Sequence, residues 1–152
     1  MRKCILSIIT VLGLVLLVGT VYAVTVHEAT GKGAFRDKQG LVNSVQFKAG
    51  VDDASNVFGE VQDVIHLPGH DPDIKFHGDV TCFMLDTKNP LIAEFGGPIT
   101  SSSDPNLVGM FYVVKVIDES PDEIDIQFTR TSPTCTEHVT TEPLLRGSIH
   151  VN

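Results

Sequence analysis

Tryptophan is absent from this sequence, tyrosine occurs twice, and aromatic residues make up only 7% of its 152 positions. Few side chains are available to stack on nucleobases. Basic residues are scarce too: 11 Lys and Arg face 19 Asp and Glu, a formal net charge of −8. So acidic a surface argues against nucleic acid and against anionic membranes as partners. No apolar period of 3.6 residues persists beyond residue 26, which removes a helical bundle from consideration. There is no G-x-S-x-G elbow and no glycine-rich phosphate loop, and Ser101, Ser102 and Ser103 have no marked His or Asp partner. The expectation is a protein that is not an enzyme.

One long apolar run is present, at the start. Met1-Arg2-Lys3 supplies two positive charges, and Cys4 to Val26 carries none. Val21-Tyr22-Ala23 puts small residues at the −3 and −1 positions of a cleavage site. A basic start, an apolar middle and this ending describe a secretory signal peptide over residues 1–23. The alternative is an uncleaved N-terminal anchor, since about 20 apolar residues span a bilayer. With cleavage near Ala23, residues 24–152 form one domain, secreted to a periplasmic or extracellular space, with no stable membrane insertion. No cysteine directly follows the apolar run, which argues against a lipid-modified N-terminus.

The rest of the chain alternates. Val45, Phe47 and Ala49 share one strand face, opposite Ser44, Gln46 and Lys48. Residues 74–85 read as one strand, with Ile74, Phe76, Val80, Cys82 and Met84 inward and Lys75, His77, Asp79 and Thr81 outward. Residues 110–118 and 123–129 form a hairpin across a Pro-containing acidic turn. Residues 91–95 make a shorter strand closed by Gly96-Gly97-Pro98, and residues 144–151 end the chain as another. Residues 30–35 and 58–65 are weaker candidates. Period two over about eight short segments, punctuated by Gly, Pro, Asn and Asp, predicts an all-β antiparallel sandwich or barrel.

Four landmarks occur in order along this domain. They are Gly31-Lys32-Gly33, then the run from Ile74 to Cys82 with His77-Gly78 at its centre. Tyr112, Val114, Val116 and Asp118 follow, leading to Pro121, Asp122, Ile124 and Ile126. Last come Leu144, Gly147, Ile149 and Val151. In these the chain resembles small secreted bacterial proteins of the post-COAP-type domain family. The resemblance implies an exported antiparallel β domain and carries no activity with it. The acidic turn at 118–122 and the segment 66–73 depart from the family pattern.

Residues 66–82 hold the densest chemistry: HLPGHDPDIKFHGDVTC. Pro68-Gly69 and Asp71-Pro72 are turn dipeptides, so residues 66–73 connect two strands. A tight turn that gathered His66, His70, Asp71 and Asp73, with His77 reaching over from the next strand, would offer imidazole and carboxylate ligands for zinc or copper. The bland reading is a decorated loop with His77 solvated. Asp118, Glu119, Asp122 and Asp125 supply carboxylates for calcium, without EF-hand spacing; their plain role is a charged hairpin end that discourages edge pairing. Asp52-Asp53 reads as a turn. Cys135 and His138 are a local pair. Cys82 and Cys135 are an even pair in an oxidising compartment, either bridged or left as thiols with Cys82 buried.

The functional expectation is a secreted, non-enzymatic binding or surface module for a protein or glycan ligand. Two alternatives stand beside it: a zinc- or copper-binding protein built on the 66–77 segment, and a homo-oligomer assembled through edge strands, the last strand among them.

Overall fold

A computed structural model describes residues 25–69, 72–136 and 140–152. The expected signal peptide, His70, Asp71 and His138 lie outside the described residues. The described residues form nine strands: β1 (Thr25–Arg36), β2 (Val42–Asp52), β3 (Val57–His66), β4 (Ile74–Asp79), β5 (Cys82–Leu85), β6 (Ile92–Ser102), β7 (Phe111–Ile117), β8 (Glu123–Thr129) and β9 (Glu142–Val151). They form one antiparallel sheet in the order β4-β3-β2-β1-β9-β8-β7-β6-β5. β4 also pairs with β6, so the sheet closes on itself in a ring. Between sandwich and barrel, the closed form is the one adopted. Among the described residues no helix is long and apolar enough to cross a membrane.

Two segments differ from the sequence expectation, for one reason. Residues 74–85 make two strands, interrupted at Val80 and Thr81. Residues 91–95 belong to a strand that runs on through Gly96-Gly97-Pro98 as far as Ser102. β6 serves β5 along the first part of one edge, from Ala93↔Leu85 to Gly96↔Cys82. It serves β4 along the rest, from Ile99↔Gly78 to Ser102↔Phe76. At the handover the two backbones nearly touch: a Cβ at Gly97 would lie 2.1 Å from the Asp79 carbonyl oxygen. The glycines that read as a stop are what permits this approach.

The period-two faces hold through most of the ring. Val45, Phe47, Ala49, Val61, Phe95, Val114, Val116 and Ile124 are buried in one core with Phe76 and Tyr112. Each large side chain removed from water there contributes roughly 1.5–3 kcal/mol. Phe47 and Phe95 pack with ring centroids 5.1 Å apart, and Phe76 lies 6.0 Å from Tyr112. Tyr112 is fully buried and donates its hydroxyl hydrogen to the Asp79 carbonyl at 2.9 Å. Burial, with the nearby Asp79 charge, pushes its phenol well above the ordinary range, so it stays a donor.

The seam between β8 and β9 is short. Among the described residues, only Glu123↔Pro143 and Ile124↔Glu142 pair in register. Beyond them, side chains take over from the ladder. Asp122 Oδ2 accepts the Ile149 amide at 2.8 Å, and Asp118 Oδ2 accepts the Val151 amide at 2.9 Å. Hydrogen bonds to charged acceptors are worth about 1.5–3 kcal/mol each. The terminal strand thus lies between β1 and β8, held on both sides.

Cys82 on β5 is bonded to Cys135 in the connection between β8 and β9. Closing a loop with a sequence separation of 53 residues stabilises the fold by about 4 kcal/mol on the chain-entropy account. Such a bond belongs to an oxidising, non-cytoplasmic compartment.

The ring can close only because Gly78 has no side chain. A Cβ there would sit 2.3 Å from the Tyr112 ring and 2.9 Å from the Pro98 carbonyl oxygen. Gly78→Ala is expected to lose about 1–3 kcal/mol of stability through overpacking, measured by denaturant unfolding. A value indistinguishable from the parent would mean that Tyr112 does not lie there.

Candidate functional site

The ladder places one row of polar side chains across six strands on the outer surface. Ser148 on β9 pairs with Lys32 on β1, which pairs with Gln46 on β2. Gln46 pairs with Gln62 on β3, Gln62 with His77 on β4, and His77 with Ser101 on β6. Alternate residues of each strand point inward to the core, so these outward ones form a band. The next row contributes Arg146, Ala34, Ser44, Val64 and Lys75.

A depression of about 660 Å³ lies in this face, lined by Lys32, Gly33, Ser44, Val45, Gln46, Gln62, Val64, Arg146, Gly147 and Ser148. None of the described lining residues is acidic. Among the described residues, three other cations are ion-paired: Lys38 lies 3.4 Å from Asp125, Lys48 3.0 Å from Glu28 and Lys115 3.8 Å from Glu94, whereas Arg36, Lys75, Lys88 and Arg130 are not. Lys32 and Arg146 form no ion pair with a described residue. A smaller depression of about 310 Å³ shares Gln62 and Val64 and carries the face on to Lys75, His77 and Ser101–Ser103.

At the rim stands a hydrogen-bonded chain of three side chains. Ile65 pairs with Ile74 across the β3–β4 turn, so the next rung sets His66 opposite Asp73. His66 Nδ1 lies 2.7 Å from Asp73 Oδ2. His66 Nε2 lies 2.9 Å from Ser44 Oγ. Ser44 pairs with Val64, two residues before His66, which makes the serine a diagonal neighbour of the imidazole. An ionised carboxylate only accepts hydrogen bonds. Nδ1 therefore donates to Asp73, and the Nε2 of the neutral ring accepts from the Ser44 hydroxyl.

Of the residues expected to bind zinc or copper, the structure brings His66 and Asp73 together. His77 lies elsewhere. It is opposite Gln62, four residues back along β3 from His66, about 13 Å at the usual strand rise. Among the described residues, Glu60 lies 3.7 Å and Asp79 3.9 Å from its Nε2. His70 and Asp71 lie outside the described residues. Among the described residues, no three His, Cys, Asp or Glu side chains are grouped to hold a metal ion.

The carboxylates considered for calcium are dispersed over separate tasks. Asp118 and Asp122 hold β9, Glu119 accepts a hydrogen bond from Asn89 at 2.9 Å, and Asp125 is buried beside Lys38. Asp52 closes the β2–β3 turn, accepting the Ala54 and Asn56 amides. Its bonds to Asn56 hold its carboxyl below the usual range. Cys135 is consumed by the disulfide and supplies no thiolate.

No family model, curated protein or solved structure matches the chain. Sequence reasoning missed Ser44, which it placed only on a polar strand face. The signal available was the alignment of β2 with β3, and that alignment is not local.

One further charge bears on this half of the ring. Asp63 points inward from β3, is 2% exposed, and neither carboxyl oxygen meets a partner at hydrogen-bonding geometry among the described residues. Burial pushes its pKa up to about 7; the Val64 amide opposes this and the Asp37 charge adds to it. The folded state therefore holds a proton that the unfolded chain gives up near the ordinary value of 3.8. The associated stability is fully present below that value, falls as pH rises, and is lost above about 7, roughly 4 kcal/mol in all. Asp63→Asn should match the parent near pH 4 and be more stable than it at pH 8, by urea unfolding at both. A difference that stays constant with pH would refute this account of Asp63.

Proposed function

We propose that this is an exported binding module, periplasmic or extracellular after loss of residues 1–23, that holds an anionic glycan chain against the outer face of β9, β1, β2 and β3. The observation that carries the reading is the lining of the large depression. Two cations without ion-pair partners among the described residues, Lys32 and Arg146, stand in it with amides and hydroxyls and with no carboxylate among the described lining residues, on a chain of net charge −8. A free ammonium and a guanidinium favour carboxylate or sulfate groups. Gln46, Gln62, Ser44 and Ser148 offer donors and acceptors for sugar hydroxyls. An extended acidic peptide would ordinarily dock by adding a strand to a sheet edge. Here the depression crosses the face of four paired strands, whose backbone is already engaged, so recognition falls to side chains.

The test is calorimetric titration of residues 24–152 with polygalacturonate, with neutral dextran and poly-glutamate as comparisons. Saturable binding of polygalacturonate is expected, weakening as salt is raised. Lys32→Ala and Arg146→Ala should each lower the affinity about tenfold. Equal binding of dextran, tighter binding of poly-glutamate, or indifference to both substitutions would contradict the reading.

A further inference from the structure

The depression and the three-residue chain at its rim share one residue, Ser44. Ser44 lines the depression, and its hydroxyl is 2.9 Å from His66 Nε2. Asp73, 2.7 Å from the other ring nitrogen, fixes the tautomer in which Nε2 is free to take a proton. A nucleophile, a base within hydrogen-bonding reach and a third group orienting that base are the parts of serine-based acyl transfer, which is recognised by geometry and roles on unrelated folds. The three come from three adjacent strands or their ends, held by the register of β2, β3 and β4.

The geometry points to Ser44 as a nucleophile toward esters of ligands that lie in the outer depression, with His66 as its base and Asp73 as a positioning residue. The choice of ester rests on the proposed glycan site, because a chain of sugar hydroxyls is the natural bearer of short acyl groups in such a depression. Ser44 Oγ bonds to the ester carbonyl carbon while its proton passes to His66 Nε2 and the carbonyl electron pair moves onto oxygen. Collapse of that adduct breaks the bond to the leaving alkoxide, which takes the proton from His66. A water then attacks the acylated serine, giving its proton to His66. The carboxylic acid leaves, and the proton returns to Ser44. Water is the only co-reactant. Arg146, Gln46 and Gln62 line the same depression and carry the N–H groups from which an oxyanion can draw stabilisation. The imidazole side is open to solvent: the His66 side chain is 43% exposed and that of Asp73 32%. Water therefore reaches the acylated serine without a lid.

The experiment treats residues 24–152 with a fluorophosphonate probe and maps the modified residue by mass spectrometry. In parallel, hydrolysis of p-nitrophenyl acetate is followed for the parent, Ser44→Ala, His66→Gln and Asp73→Asn. Labelling concentrated on Ser44 is expected. Hydrolysis should be lost in Ser44→Ala and lowered about 100-fold or more in His66→Gln. Asp73→Asn should lower kcat with KM unchanged, as befits a residue acting through the imidazole. Labelling spread evenly over exposed serines, or hydrolysis by the parent no faster than by Ser44→Ala, would overturn the inference. Mapping the label on the parent needs no variant to fold. Failure here with polygalacturonate binding intact removes the nucleophile alone. Labelling of Ser44 without that binding removes the glycan reading and leaves the nucleophile standing.

Discussion

The fold depends on one contact, the seating of the Tyr112 ring on the bare backbone of Gly78. β4 must lie beside β3 on one edge and β6 on the other for the sheet to become a ring, and that join is only three registered pairs long. Tyr112 fills the space beneath it and ties its hydroxyl to the carbonyl of the next residue, Asp79. An apolar ring alone would fill the space. The hydroxyl adds direction, because a buried phenol needs an acceptor and finds one only with the two strands in this position. Without the join, β4 would be an open edge with unpaired amides.

Closure also determines what the outside can do. A continuous ladder carries register from β9 round to β6, so side chains from distant parts of the chain stand in one row. The protein's acidic character is not spread evenly over that surface. Asp118 and Asp122 at the β8–β9 seam and Asp52 at a turn accept backbone amides, and Glu60 and Asp79 stand beside His77, while Lys32 and Arg146 line a depression with no acid among its described lining residues. A net charge of −8 thus coexists with a depression whose described lining holds two cations and no acid. Proximity of Ser44, His66 and Asp73 follows from the same register, through one rung and one diagonal.

Period two made the strands legible from the sequence, because inward residues such as Val45 and Phe47 or Tyr112, Val114 and Val116 must alternate with solvated ones. The turn at Pro68-Gly69 was legible for its own local chemistry. What could not be read was the identity of neighbours. The alternation of residues 74–85 runs unbroken through Val80 and Thr81, yet the strand breaks there because its partner changes. Gly96-Gly97-Pro98 carries the residue types of a stop and acts as a place of close approach. Asp118 and Asp122 were visible as charge, but the amides they accept lie 33 and 27 residues away. His66 and Asp73 were both singled out as metal ligands. Their contact is a local consequence of the hairpin, whereas Ser44, 22 residues from His66, enters only through the β2–β3 register.

The measurement that bears most directly on this account is nuclear Overhauser spectroscopy across the β4–β6 join in residues 24–152. A closed ring predicts backbone proton contacts linking His77 and Gly78 to Ile99 and Ser101, and contacts from the Tyr112 ring to the Gly78 α protons. Absence of both sets, with the β3–β4 and β6–β7 contacts intact, would mean an open sheet and contradict the account at its base.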